Sequence, residues 1–259
     1  MSELHPFLQH DGVLAFAHQG GNNEHPENTM AAFQNAIGLG YRYLETDAQI
    51  TSDGVLICFH DETLDRMSDG EGTISELPWD VVRQARITGG HPIVRLDELW
   101  ETFPGIRLNI DAKSEPVVEP LLAWFEKVAA FDRLCLGSFG PKRLGRFRKH
   151  FGSKLCTALG IIDVGLLRFN SWRIPLPGVD GDVAQVPVKQ KIVGPVRIPI
   201  TDRRFVDKAH DKGIHVHVWT IDEADEMNRL LDLGVDGLMT DSPTLLKQVL
   251  VERGQWAEG

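Results

Sequence analysis

Basic residues are outnumbered: 27 lysines and arginines stand against 37 aspartates and glutamates, a formal net charge of −10 over 259 residues. Such a chain repels nucleic-acid phosphates and anionic head groups unless its cations gather in one place. The densest basic stretch, Lys142, Arg143, Arg146, Arg148, Lys149 and His150, has the spacing of a solvated helix face, so no nucleic-acid partner is expected. Cysteine is scarce too. Cys58, Cys135 and Cys156 are odd in number and far apart, which excludes a disulfide framework and suits a reducing compartment. No uncharged apolar run approaches the roughly 20 residues of a membrane span, and Met1-Ser2-Glu3-Leu4-His5-Pro6 lacks the basic start and apolar stretch of a secretory leader. The expectation is a cytoplasmic protein without a transmembrane segment. No low-complexity linker divides the chain, and nothing in it reports an oligomeric state.

What remains is ordinary globular material, 42% hydrophobic and 25% charged. Short apolar runs, several of them rich in β-branched residues, at 13–17, 41–46, 106–110, 134–138, 154–158, 182–187, 214–219 and 237–240 alternate with helical patterns at 29–39, 116–130, 141–150, 162–169, 201–212, 223–233 and 243–252. Strand alternating with helix predicts a parallel sheet with crossover helices. Eight repeats in a length close to the roughly 250 residues such a fold takes point to a single α/β TIM (β/α)8 barrel spanning residues 1–259. Residues 61–95 exceed an ordinary connection and read as a small insertion after the second strand. Asn28 and Thr201 are candidate helix N-caps; Gly40, Gly213 and Gly234 are candidate C-terminal glycines.

In a TIM barrel the chemistry sits at the carboxyl ends of the strands. The first predicted strand ends at His18, the second at Glu45 and Asp47, the third at Asp111 and Lys113. Asp53-Gly54 suggests a two-residue hairpin turn, whose register sets His60 opposite Asp47 and brings a second histidine to the site. Glu45 and Asp47, two apart on a strand, share a face. Three close carboxylates call for a cation, and their oxygens suit Mg²⁺ or Ca²⁺. Two histidines that titrate near neutral pH suit acid/base work. His215 and His217 have metal-site spacing but fall lower on the seventh strand, where packing is the expected role.

Ala17-His18-Gln19-Gly20-Gly21, Pro26-Glu27-Asn28-Thr29, Glu45-Thr46-Asp47, His60-Asp61, Asn109-Ile110-Asp111-Ala112-Lys113, Ser138-Phe139, Val218-Trp219-Thr220 and Gly234-Val235-Asp236-Gly237 resemble, in order, the motifs of the glycerophosphodiester phosphodiesterase family. The resemblance implies that His18 and His60 act as general acid and base and that Glu45, Asp47 and Asp111 hold one divalent cation. It further implies that Lys113 balances phosphate charge, that Trp219 walls the substrate site, and that Glu27 and Asn28 lie near the phosphate. The implied reaction cleaves a glycerophosphodiester to glycerol 3-phosphate and an alcohol; some relatives act on lysophospholipids.

Gln19 stands where that family usually has arginine, offering a neutral amide instead of a charged two-pronged grip on phosphate. Asp111 replaces the commoner glutamate, Asp222 an asparagine, and Gly140 an aspartate. A lysophospholipase D needs an apolar funnel, for which the insertion offers Ile74, Leu77, Pro78, Trp79 and Val81. A non-catalytic barrel binding phosphorylated ligands is a reading of another class, supported by Gln19, and a sugar-phosphate isomerase or aldolase on the same fold is a third.

Overall fold

The computed structural model describes residues 4–174, 176–193 and 196–257. Its strands, in chain order, are β1 (Leu14–Ala17), β2 (Tyr43–Ile50), β3 (Leu56–Cys58), β4 (Arg86–Ile87), β5 (His91–Pro92), β6 (Arg107–Ala112), β7 (Leu134–Gly137), β8 (Cys156–Thr157), β9 (Val183–Val186), β10 (Lys189–Val193), β11 (Val196–Pro199), β12 (His215–Val218) and β13 (Gly237–Thr240). The α-helices are α1 (Met30–Gly38), α2 (Trp79–Val82), α3 (Leu96–Thr102), α4 (Val118–Val128), α5 (Pro141–Phe151), α6 (Ile161–Ser171), α7 (Arg203–His210), α8 (Ala224–Leu233) and α9 (Pro243–Glu252). Eight strands pair in parallel in the order β8, β7, β6, β2, β1, β13, β12, β9. A parallel bridge from Ala158 to Val183 joins the two ends. The result is the TIM barrel that the alternating pattern predicts.

Two clusters hold it. The larger lies between strands and helices, where Leu44, Leu108, Leu136 and Val216 meet Phe33, Phe125, Phe147, Phe205 and Leu246. The smaller fills the barrel axis with Leu14, Phe16, Tyr43, Cys135, Cys156, Val183 and Met239. The short turn Pro6–Leu8 plugs that end: Phe7 sets its ring edge-on to Tyr43 at 5.4 Å, and the Tyr43 hydroxyl donates to the Phe7 carbonyl at 2.9 Å. All three cysteines are buried and free, Cys135 and Cys156 in register on neighbouring strands. His217 is fully buried with no hydrogen bond to either ring nitrogen, and burial holds it well below the ordinary histidine pKa. It packs on Phe16, ring centroids 4.9 Å apart.

Three local expectations shift. The hairpin after β2 pairs Ala48 with Cys58 and Ile50 with Leu56, one residue away from the register a two-residue Asp53-Gly54 turn requires. Thr51 instead closes a three-residue loop onto Val55, and Gly54 takes the left-handed position at φ +86°. Both predicted N-caps also move by one. Thr29 accepts from the Ala32 amide and Asp202 from the Phe205 amide, leaving Asn28 and Thr201 for other duties.

Residues 61–95 carry their own small core, with Leu64, Ile74, Val82, Ala85, Ile87 and Ile93 packed on Ile57 and Phe59. Three of the six basic residues of α5 are ion-paired within the described residues, Arg146 with Glu115 and Glu119, His150 with Glu126, and Arg148 with Asp163 and Asp180. Among the described residues no helix is long and apolar enough to cross a membrane.

Gly20 and Gly21 turn the chain away from β1 at φ +86° and +107°. A Cβ on Gly20 would stand 2.6 Å from the Ala32 Cβ, so helix α1 leaves no room for one. Gly20→Ala should therefore destabilise the fold by roughly 1–3 kcal/mol, read as a lower midpoint in chemical denaturation. A midpoint equal to wild type would show that this turn relaxes freely.

Candidate active site

The carboxyl ends of the strands surround a cavity of about 460 Å³. Its polar end is walled by His18, Glu45, His60, Asn109, Asp111 and Lys113. The register of β2 on β6 puts Glu45 beside Asn109 and Asp47 beside Asp111, so strand geometry alone crowds three carboxylates together. Lys113 Nζ lies 2.8 Å from both Asp47 Oδ1 and Asp111 Oδ2. Burial opposes its charge, but Asp111, Asp47 and Glu45 raise its pKa above the ordinary lysine value. Burial would raise the Asp47 carboxyl as well; Lys113, His60 and Asn28 outweigh it and hold Asp47 ionised. Glu45 fares differently, because burial and the charge of Asp47 push it up to about 8.

Each histidine is oriented by its own aspartate. His18 Nδ1 meets Asp241 Oδ1 at 2.8 Å, with Nε2 3.8 Å from Glu45. Burial opposes protonation, but Glu45 and Asp241 outweigh it and lift His18 to about 9. Asp241 is set in turn by Asp222, which accepts from its amide at 2.7 Å. His60 Nδ1 meets Asp61 Oδ1 at 2.6 Å. Arg66, reaching over from the insertion, donates to Asp61 at 2.5 and 2.9 Å and to Glu27 at 2.8 and 3.2 Å. The Arg66 hydrogen bonds bring Asp61 down to about 2. With Nδ1 tied to a carboxylate, Nε2 of each ring is left for proton exchange with a ligand.

The carboxylates suit a hard divalent cation in donor type, all oxygen. Asp47 Oδ1 and Asp111 Oδ1 are buried without a hydrogen bond. Lys113 touches Asp47 Oδ1 as an ion, outside hydrogen-bond geometry, so both oxygens keep lone pairs for a cation. Among the described residues no three such ligands already surround one point, and the Lys113 ammonium sits where the two aspartates meet.

Residues 18–245 match the glycerophosphoryl diester phosphodiesterase family. The chain belongs to that family. A probable glycerophosphodiester phosphodiesterase 2 of Mycobacterium tuberculosis is 37% identical over 96% of this chain and 95% of its own length. Human lysophospholipase D is 29% identical, over 90% of this chain and 85% of its own. Among solved structures, a putative glycerophosphoryl diester phosphodiesterase from Silicibacter pomeroyi superposes with a TM-score of 0.79 at 22% identity, covering 97% of this chain and 98% of that one. An Oleispira antarctica phosphodiesterase in complex with sn-glycerol-3-phosphate gives 0.75 at 20% identity, covering 93% and 97%.

Against the family pattern, the structure gathers His18, His60, Glu45, Asp111, Lys113 and Trp219 on the cavity wall. Trp219 takes the ring of Phe139 edge-on at 5.9 Å. Gln19, Glu27 and Asn28 lie behind the carboxylates instead. The buried Gln19 amide donates to Asp47 Oδ2 at 2.6 Å, and its backbone N–H donates to Glu45 at 3.1 Å. Asn28 donates to Asp47 Oδ2 at 2.9 Å and accepts from Thr46, while Glu27 holds Arg66. Where the family's arginine would carry a charge, this chain has a neutral clamp on Asp47. His60 reaches the cavity from beyond the end of β3, through the turn after Phe59, and not from the register position opposite Asp47. Asp241 carries a usable signal: it directly follows β13, the last barrel strand.

Lys113 is the one lysine or arginine lining the carboxylate end of the cavity among the described residues. Lys113→Met should cost about 3 kcal/mol at neutral pH by leaving buried carboxylates uncompensated. Without the ammonium their folded-state pKa values rise above the unfolded ones, so the folded protein binds more protons and the deficit shrinks as pH falls. Denaturation at pH 8 and pH 5 measures this; a deficit that grows on acidification would contradict it.

Proposed function

We propose that this chain hydrolyses glycerophosphodiesters to glycerol 3-phosphate and an alcohol by histidine acid/base catalysis. The observation that carries the reading is the pair of histidines, each fixed through Nδ1 by an aspartate, lining one cavity with a carboxylate cluster and a buried lysine. Glu45, Asp47 and Asp111 would hold the cation, Mg²⁺ or Ca²⁺, which when bound supplies Lewis-acid neutralisation of phosphoryl charge. Gln19 and Asn28 keep Asp47 aimed. One histidine takes the proton of the attacking hydroxyl and the other returns a proton to the leaving alkoxide, each step contributing roughly 10²–10⁴-fold. Asp61 and Asp241 hold the two rings in the tautomer that frees Nε2. Trp219 and Phe139 wall the site against water. The reduced cysteines suit a cytoplasmic setting.

A lysophospholipid is the second reading, and the cavity's far end favours it. Beyond the histidines the wall includes Leu159, Val164, Phe169, Pro187, Ile198 and Ile200, beside Arg168 and Gln190, an arm whose mainly apolar lining suits an acyl chain. The expected funnel in the insertion is not its source: Ile74, Leu77 and Trp79 pack in the insertion's own core, and neither they nor Pro78 and Val81 line the cavity.

Metal-stripped protein should be inactive on glycerophosphocholine, regain turnover with Mg²⁺ or Ca²⁺, and lose roughly 10²–10⁴-fold in kcat on His18→Ala. Asp241→Asn should also lower kcat, with KM little changed, because it acts through the orientation of His18. Lysophosphatidylcholine run beside it ranks the two substrates. No turnover of either with any divalent cation would transfer the chain to the non-catalytic, phosphate-binding reading.

A further inference from the structure

Six of the nine large hydrophobic side chains exposed among the described residues fall on α6 and the turn after it: Ile161, Ile162, Phe169, Trp172, Ile174 and Leu176. Scattered singly such residues are ordinary; gathered beside a cavity mouth they mark a surface that meets something apolar. Helix α6 explains how they reach the mouth. Ile161, Val164, Gly165, Arg168 and Phe169 recur at helical spacing and form one wall of the apolar arm. Ile162 and Trp172 stand outside that wall. Ile161 and Phe169 belong to both surfaces, so apolar surface passes from the arm onto the outer face of the helix.

The charges nearby narrow the occupant. Asp163 is the sole carboxylate on α6 and lies 3.8 Å from an Arg148 guanidinium nitrogen; Arg168 is held by Asp202 at 2.7 Å. Arg173, exposed in the turn between Trp172 and Ile174, leaves the face with one positive charge in a chain of net charge −10. A second copy would bring two such net charges together, and an anionic surface would attract Arg173 but repel the acidic remainder of the chain. A zwitterionic phospholipid surface imposes no such cost. Its head-group boundary also suits a tryptophan with an apolar body and a polar edge, as Trp172 is placed with Phe169 edge-on at 5.6 Å.

We propose that α6 and the turn that follows dock the protein reversibly on zwitterionic phospholipid bilayers, with Ile162, Trp172, Ile174 and Leu176 entering the acyl boundary. The cavity mouth then faces the lipid, and a single-chain phosphodiester passes from bilayer to apolar arm without crossing water. This inference rests on reading the cavity as a phosphodiester hydrolase site. Docking of this kind follows buried apolar area, so added salt should leave it nearly unchanged.

The test is flotation with phosphatidylcholine vesicles of the wild type and of a double variant, Ile162→Glu with Leu176→Glu. Neither side chain lines the cavity, so both proteins should hydrolyse glycerophosphocholine equally in solution, which also reports that the variant folds. The wild type should float with the vesicles and the variant about tenfold less or weaker, with hydrolysis of vesicle-borne lysophosphatidylcholine slowed in proportion. Wild type that stays with the soluble fraction, or a variant that floats equally well, overturns the proposal. A concentration-dependent dimer abolished by the same substitutions, without vesicle binding, assigns the face to a second copy and overturns it too. Flotation without glycerophosphocholine hydrolysis by the wild type would sustain docking and remove the catalytic reading.

Discussion

Three carboxylates forced together at the mouth of a barrel are the constraint on which the rest of this site depends. The β2–β6 register brings Glu45, Asp47 and Asp111 close whether or not anything neutralises them. Left alone in a buried site they would repel and take up protons. The molecule answers with a lysine between two of them, two amide donors on Asp47, and histidines at the edge. The differing fates of the acids follow: Asp47, with Lys113, Gln19 and Asn28 on it, stays ionised, while for Glu45 burial and the charge of Asp47 outweigh His18 and Lys113 and push it up to about 8.

Around that cluster the fold supplies two further layers. Asp241 and Asp61 fix the histidine rings; Asp222 and Arg66 fix those aspartates. The insertion therefore contributes Arg66 to the site and keeps its apolar residues to itself. On the opposite side of the mouth α6 does the reverse, turning apolar residues to the cavity and to the surface while its buried Arg168 anchors it to the N-cap of α7 through Asp202. The cavity is thus polar where phosphate chemistry is placed and apolar where a chain would lie.

The eight strands were legible because short apolar runs, punctuated by glycine or proline, recur at barrel spacing. The site residues on β1, β2 and β6 were legible because that fold puts its chemistry at strand ends. The same rule applied to β13 would have flagged Asp241, whose partner His18 is 223 residues away in sequence. The hairpin slipped by one because Asp53-Gly54 fits two turn types, and only Thr51 closing onto Val55 distinguishes them. Asn28 looked like a cap because its side chain is a good one; a buried Asp47 had the stronger claim on it. The role of Gln19 followed the family's arginine, whereas its neutral amide is held by a carboxylate. The apolar arm was illegible because periodicity shows that α6 has an apolar face but not that it turns this face to a cavity.

We propose the carboxylate cluster as a cation site with Lys113 as its internal counter-ion. Calorimetric titration of Mg²⁺ or Ca²⁺ into metal-stripped protein tests it directly, with Asp47→Asn as the comparison. One saturable site is expected in the wild type and its loss in the variant, with the fold intact in both. Saturable binding that survives Asp47→Asn unchanged, or none in the wild type at millimolar cation, would contradict it.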